Sequence, residues 1–221
     1  MANMMEDNPW LRIPADDYEA HMSAVGQSAA LRAFFLRVYS QTHPARLAIL
    51  GCTTGGDLEY VDPTVTEMVV GVDINPAYLD IARGRSTALG SRLHLVSGDV
   101  MQVALPAVQF DLVHAALLLE YVDQVPLLRR IHRWLSPQGI CSVITQEPSL
   151  GGAAVSTSEY KSLAVLAGRV SQRTAKEVVA MAGAAGFRLA SQWPMTLPNG
   201  KTLVSSIFEK ADTPAHQKRS S

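Results

Sequence analysis

The stretch Leu47-Ala48-Ile49-Leu50-Gly51-Cys52-Thr53-Thr54-Gly55-Gly56-Asp57 restricts the architectures open to this chain more than any other. Four apolar residues run, with no polar break, into three glycines spread over six positions. An unbroken apolar run of strand length suits a strand buried on both faces, the situation of a parallel sheet. The glycines after it mark a tight loop leading to a helix. In open α/β sheets a ligand sits at such a loop, beyond the carboxyl ends of the strands, where glycine lets the backbone come close.

The same pattern recurs downstream. Met68 to Asp73 reads as a second buried strand that ends in a carboxylate, and Asn75-Pro76 starts a helix after it. Leu93 to Val96, closing on Gly98-Asp99, reads as a third strand, and Phe110 to Ala115 as a fourth. Pro126 opens a helix with Leu127, Leu128, Ile131, Trp134 and Leu135 on one face, and the Pro137-Gln138-Gly139 turn feeds strand five, Ile140 to Thr145. Strands alternating with helices predict a parallel sheet covered on both sides. The last third departs from this. Thr174-Ala175-Lys176-Glu177 is a capping box, with Gly186 as the helix stop. Phe187 to Met195 and Lys201 to Glu209, joined by Leu197-Pro198-Asn199-Gly200, then read as a β-hairpin, so one strand must run antiparallel.

Upstream of the loop, Leu31, Phe34, Phe35 and Val38 share a helix face, and His43-Pro44 ends the helix. The arm before it carries Trp10, Ile13, Tyr18, His21 and Met22, residues costly to leave in water, and is expected to pack on the domain. The reading is of residues 1–45 as an arm and helix covering the active site, 46–210 as the main domain, and 211–221 as a disordered tail.

At 221 residues and 48% apolar the chain can bury a sizeable core. A net charge of −1 gives no general pull toward nucleic acid or anionic membranes, so a small-molecule partner is expected, with no nucleic acid and no membrane. The acidic amino end reads as no secretion signal, and no apolar run is long enough to span a bilayer; the expectation is a cytoplasmic protein, monomer or homodimer. Cys52 and Cys141 fall in or beside apolar runs and form no metal or disulfide pattern, so both read as buried free thiols and no metal is expected.

Gly51, Asp73 at the end of strand two and Asp99 just after strand three fall together at the carboxyl edge of the sheet. An acid about twenty positions past the first glycine is placed to accept hydrogen bonds from ribose hydroxyls. Dinucleotide binding, and with it a nicotinamide-dependent oxidoreductase, is one alternative. It requires Gly-x-Gly-x-x-Gly, and Thr53 occupies the second glycine position.

The run Leu47 to Asp57, then Val69 to Pro76, Ser97-Gly98-Asp99-Val100, Phe110 to Val113 and Leu135 to Ile140, resembles the class I S-adenosylmethionine-dependent methyltransferases of the bacterial small-molecule branch. The resemblance runs from about Arg46 to Lys210. It implies a Rossmann-like seven-stranded sheet, mostly parallel, with one antiparallel strand from the hairpin and helices on both faces. It implies S-adenosyl-L-methionine as cofactor and S-adenosyl-L-homocysteine as product, with Gly51, Cys52, Thr53 and Gly55 around the methionine part. Asp73 and Ile74 would stand at the ribose, Asp99 and Val100 at the adenine, and Ala115 at the strand-four edge of the site. Two positions depart: Ile49 stands where the family has an acid that serves the cofactor ammonium, and Thr53 where it has a glycine. Weak cofactor binding, or a substitute partner from the arm, would follow, and a non-catalytic cofactor-binding protein is a further alternative.

Methyl transfer from a sulfonium needs no obligatory base, because holding the reactants together in a dry site supplies much of the acceleration. Where an acceptor must lose a proton, the candidates are Tyr18 and His21 on the arm, His114 on strand four, and Glu120 and Tyr121 beyond it. His114 reads as a core histidine, and the Leu117-Leu118-Leu119 run as core.

Overall fold

The structure is a computed structural model and describes residues 8–149, 154–155, 159–166 and 168–211. The first seven residues of the arm and all but the first residue of the expected tail lie outside the described residues.

The arm contains a helix of its own, α1 (Ala15–Ala24), followed by α2 (Gln27–Thr42). The sheet is built from β1 (Arg46–Leu50), β2 (Met68–Asp73), β3 (Leu93–Ser97), β4 (Phe110–Ala116), β5 (Leu135–Gln146), β6 (Phe187–Thr196) and β7 (Thr202–Lys210). Between them run α3 (Pro76–Arg85), α4 (Gln124–Trp134) and α5 (Ala175–Ala184). All seven strands form one sheet in the order β3-β2-β1-β4-β5-β7-β6. The pairs β1–β2, β1–β4, β2–β3 and β4–β5 are parallel, whereas β7 is antiparallel to both β5 and β6. The fold is therefore Rossmann-like with one antiparallel strand, as the hairpin requires.

Strand periodicity decides the two layers. Leu47 and Ile49 turn to one face, against Phe35 and Val38 of α2 and Leu79 of α3. Ala48 and Leu50 turn to the other, against Leu127, Leu128 and Ile131 of α4 and Val178 of α5. Each of these side chains is almost wholly buried, which is worth about 1.5–3 kcal/mol for a large aliphatic group. The caps read in the sequence hold these helices. Asn75 Oδ1 accepts the Ala77 N–H at 3.0 Å ahead of α3, and Thr174 and Glu177 form the reciprocal capping box of α5.

Three expectations are corrected. The glycine loop leads only to a single 3-10 turn, Leu58–Tyr60, because Gly55-Gly56 before it and Pro63 after it leave too few residues for an α-helix. Strand five begins earlier, at Leu135, with a register break opposite Phe110–Leu112 where the Pro137-Gln138-Gly139 segment bulges out. In the Leu117-Leu118-Leu119 run only Leu119 is buried; Leu117 leaves β4 at φ 51°, and this turns it and Leu118 out of the core.

In the sheet order β1 and β4 are neighbours, and the chain proceeds outward from them in opposite directions. A crevice opens at such a switch point beyond the carboxyl ends of the two strands.

Candidate active site

At that crevice lies a cavity of about 470 Å³. One wall is the glycine loop. Gly51 sits at φ 69°, and the Gly51 and Cys52 amides both donate to the Val72 carbonyl, at 2.8 and 3.0 Å, which folds the loop back over β2. Gly55, at φ 89°, lies on α3 so closely that a Cβ there would stand 3.0 Å from the Cα and Cβ of Ala82. No other residue fits that backbone without displacement.

Thr53 at φ 47° is a β-branched residue in left-handed backbone, a conformation that costs roughly 1–2 kcal/mol. Its amide is held by the Asp73 carboxylate, Thr53 N to Oδ2 at 2.8 Å, while Asp73 Oδ1 accepts the Asn75 N–H at 2.9 Å. Asp73 is 7% exposed; burial pushes its carboxyl up, and these amide bonds pull the other way. A carboxylate offers about four acceptor positions, so acceptor capacity remains after the amides are served. Asp99 is arranged alike: Oδ1 accepts the Met101 amide at 2.8 Å and Oδ2 the Gln102 side chain at 3.2 Å.

The arm forms the facing wall and is tied down along its length. Asn75 Nδ2 donates to the Trp10 carbonyl at 2.9 Å, and the Tyr78 hydroxyl to the Ile13 carbonyl at 3.0 Å. Thr54 Oγ1 donates to Glu19 Oε1 at 2.5 Å, and Glu19 pairs with Arg85. The Tyr18 hydroxyl meets the Thr53 side chain, so the irregular residue of the loop is gripped by the arm. Trp10 stands edge-on to Tyr121 with ring centroids 5.1 Å apart, and edge-on to Tyr18 at 6.0 Å.

Beyond β4 and β5 the wall changes character. Leu117, Leu163 and Leu166 supply apolar surface, and Glu120, 4% exposed, accepts the Gln146 amide at 2.7 Å. Gln146 in turn accepts from Gln27 Nε2 at 3.2 Å, and its own amide donates to the Ala154 carbonyl at 2.9 Å. Burial pushes the Glu120 carboxyl up to about 7. Burial also pushes the Tyr18 and Tyr121 phenols far up, which keeps both protonated at neutral pH. His21 is driven down, first by burial and then by the Lys201 cation, and stands neutral at pH 7.

Of the residues singled out in the sequence, Gly51, Thr53, Asp73, Ile74, Asp99, Val100, Tyr18, His21, Glu120 and Tyr121 all line this one cavity. Cys52, Gly55 and Ala115 do not. Cys52 is turned under the loop toward Gly71, Gly55 packs on α3, and Ala115 is fully buried, leaving its neighbour Ala116 on the wall. Ile49 lies in the core at 2% exposure, and His114 is a core histidine, its Nδ1 3.0 Å from Ser142 Oγ and its ring against Phe35. The sequence reading missed Gln27, Gln146, Gln172 and the strained Leu117. For Gln146 a signal existed, since it closes strand five at the ligand-bearing edge; for the others none did.

Residues 49–143 match the family described as methyltransferase domain. No curated protein matches the chain. Among solved structures, the chain is similar to a 1,6-didemethyltoxoflavin-N1-methyltransferase of Burkholderia thailandensis with bound S-adenosylhomocysteine, at 21% identity and TM-score 0.67 over 89% of this chain and 85% of that one. It is also similar to the N-methyltransferase NodS of Bradyrhizobium japonicum WM9 in complex with S-adenosyl-L-homocysteine, at 15% identity and TM-score 0.65 over 83% and 87%. Magnesium protoporphyrin IX methyltransferase of Synechocystis PCC 6803 follows at 14% and TM-score 0.62 over 88% and 86%. The chain thus shares the fold of these structures, its residues 49–143 match a methyltransferase domain, and its glycine loop and the carboxylates of Asp73 and Asp99 stand together at the carboxyl edge of the sheet.

Proposed function

We propose that the chain moves a methyl group from S-adenosylmethionine to a small-molecule acceptor inside the 470 Å³ cavity, with the N-terminal arm as its cover. The observation that carries this reading is the single continuous wall on which Gly51, Thr53, Asp73 and Asp99 face Trp10, Tyr18 and His21. Cavities of this size and mixed lining suit small ligands. Two of the similar structures have S-adenosylhomocysteine named with an acceptor compound or an N-methyltransferase activity, which favours small acceptors.

The donor set fits the cofactor. The free acceptor positions of Asp73 suit the two ribose hydroxyls, Asp99 with the Val100 backbone suits the adenine amino group, and Ile74 offers an apolar side. The backbone of Gly51 to Gly55 wraps the methionine part, with Cys52, Gly55 and Ala115 shaping it from behind. Among the described lining residues Arg169 is the only lysine or arginine and is exposed, so a pyrophosphate would find no cation at the loop and the dinucleotide reading loses ground. S-adenosylmethionine supplies the electrophilic methyl on a sulfonium. The chain supplies alignment and exclusion of water: Trp10, Tyr18 and Tyr121 close the cavity, and neutral His21 and Glu120 are the groups able to take a proton where the acceptor must release one.

Calorimetric titration of S-adenosylhomocysteine into the full chain should show one saturable site in the micromolar range, as should S-adenosylmethionine. Absence of heat at millimolar ligand would overturn the proposal.

A further inference from the structure

Glu120 is a carboxyl at the cavity wall, 4% exposed, bound through one oxygen to the amide of Gln146, itself a lining residue. No lysine or arginine among the described residues forms an ion pair with it. An unpaired buried carboxylate is costly and is usually matched by something. On the same wall the rings of Trp10 and Tyr121 meet edge-on at 84°, and Trp10 and Tyr18 at 74°, so that three aromatic rings border the space. Aromatic rings attract a cation as a carboxylate does. Around these groups the cavity is lined by Leu117, Leu163 and Leu166. The site therefore asks for a ligand with an apolar body and a positive end.

Given the methyltransferase reading on which this rests, we propose that the acceptor is an amine, anchored as its ammonium by Glu120 against the Trp10, Tyr18 and Tyr121 rings. The ammonium has no lone pair to offer, so it first passes one proton to the Glu120 carboxylate. The amine nitrogen then forms its bond to the methyl carbon as the carbon–sulfur bond breaks; the bonding pair stays on sulfur, now a neutral thioether, and the positive charge passes to the methylated ammonium. Glu120 returns its proton to solvent when the product leaves. Gln172, whose buried Nε2 has no partner among the described residues, lines the same space and is positioned for a polar atom of the acceptor.

The test uses three probes of one shape on the full chain saturated with S-adenosylhomocysteine at about pH 8, where the amine is protonated and Glu120 is ionised. 2-Phenylethylamine, 2-phenylethanol and 3-phenylpropionate are titrated by calorimetry. The amine should bind at least about tenfold more tightly than the alcohol, with the carboxylate weakest. Glu120→Gln should remove the amine's advantage and leave S-adenosylhomocysteine affinity unchanged. Trp10→Leu, which spares the carboxyl, should weaken the amine about threefold and the alcohol less. An alcohol that binds as well as the amine, or no amine binding up to tens of millimolar, overturns the proposal. So does a Glu120→Gln protein that keeps the amine preference. If Glu120→Gln instead weakens S-adenosylmethionine relative to S-adenosylhomocysteine, the carboxylate serves the sulfonium and the proposal falls. If S-adenosylhomocysteine itself does not bind, the methyltransferase reading fails first; if it binds and the amine is not preferred, only the acceptor class is wrong.

Discussion

Along the ends of β1, β2 and β3 the cavity wall is polar and its carboxylates are already engaged: Asp73 holds the amides of Thr53 and Asn75, and Asp99 holds that of Met101. Along the ends of β4 and β5 the wall is mostly apolar, and its carboxyl, Glu120, accepts the Gln146 amide and has no cation partner among the described residues. The first half is rigid before any ligand arrives, since its functional groups double as the bonds that shape the loop. The second half leaves polar capacity open beside apolar side chains. A cofactor common to many enzymes suits the first arrangement, and an acceptor particular to one suits the second. Altering the first half should therefore damage structure and binding together, and altering the second should change binding without loosening the fold.

Asp73→Ala breaks this relation most severely. It removes both amide ties and the acceptors offered to the cofactor, each hydrogen bond to a charged group being worth about 1.5–3 kcal/mol. S-adenosylhomocysteine affinity should fall at least a hundredfold in calorimetry, and the melting temperature should drop in the same variant. Affinity within threefold of the parent would show that Asp73 is only a cap for the loop and α3.

Glu120→Gln should act in the opposite sense on stability, and its effect depends on pH. The Glu120 carboxyl is raised by burial from its ordinary 4.5 to about 7, so it contributes stability at pH below 4.5 and loses that contribution as pH rises through 7. Above pH 7 the glutamine variant should be the more stable protein, by on the order of 3 kcal/mol at most, and near pH 4 the two should converge. His114, lowered by burial to about 4, contributes the reverse: stability present above 6.5 that is lost as pH falls toward 4. It is common to both proteins, so the difference between their denaturation curves isolates Glu120. A difference that stays flat from pH 4 to 8 would mean that the carboxyl ionises without penalty and the acceptor half is wetter than its lining indicates.

The contrast between the halves also explains what could be read from the sequence. Asp73, Asp99 and the Gly51–Gly55 loop lie within a few residues of strand ends, so the strand pattern and the spacing from glycine to acid locate them without any tertiary information. The hairpin carrying β6 and β7 was equally local, a single turn between two alternating runs. The acceptor half is assembled from residues far apart in the chain: Gln27 meets Gln146 across 119 positions, and Asp17 of the arm meets Ser162 across 145. No periodicity encodes such meetings. Leu117 shows the limit at a single residue: an apolar run predicts core, and only the left-handed turn after β4, imposed by the Leu117 amide bonding the Ile144 carbonyl at 2.8 Å, puts it on the wall.

Removing residues 1–24 tests whether the arm belongs functionally to both halves. It would free Thr53 from Tyr18 and Asn75 from the Trp10 carbonyl, and open the cavity to water. S-adenosylhomocysteine binding should weaken about tenfold, while unfolding shifts less, because water can replace the Ile13 carbonyl at the Tyr78 hydroxyl. Unchanged affinity would reduce the arm to a packing element.

The smallest effect is expected at Thr53, where two contributions oppose. Glycine would relieve the left-handed backbone at φ 47°, a gain of roughly 1–2 kcal/mol, but it brings up to about 1 kcal/mol of extra chain entropy to lose and removes the hydroxyl that meets Tyr18. Thr53→Gly should therefore change stability by less than about 1 kcal/mol, since the net hydrogen-bond loss is also about 1 kcal/mol. Thr53→Ser, which keeps the hydroxyl and sheds the β-branch, should be at least as stable as the parent. In S-adenosylhomocysteine titrations the serine variant should match the parent and the glycine variant should lose about threefold, the share of affinity that depends on the loop being gripped by the arm. If glycine binds more tightly than threonine, the arm contributes nothing through this residue, and the loop of the cofactor half is shaped by Asp73 alone.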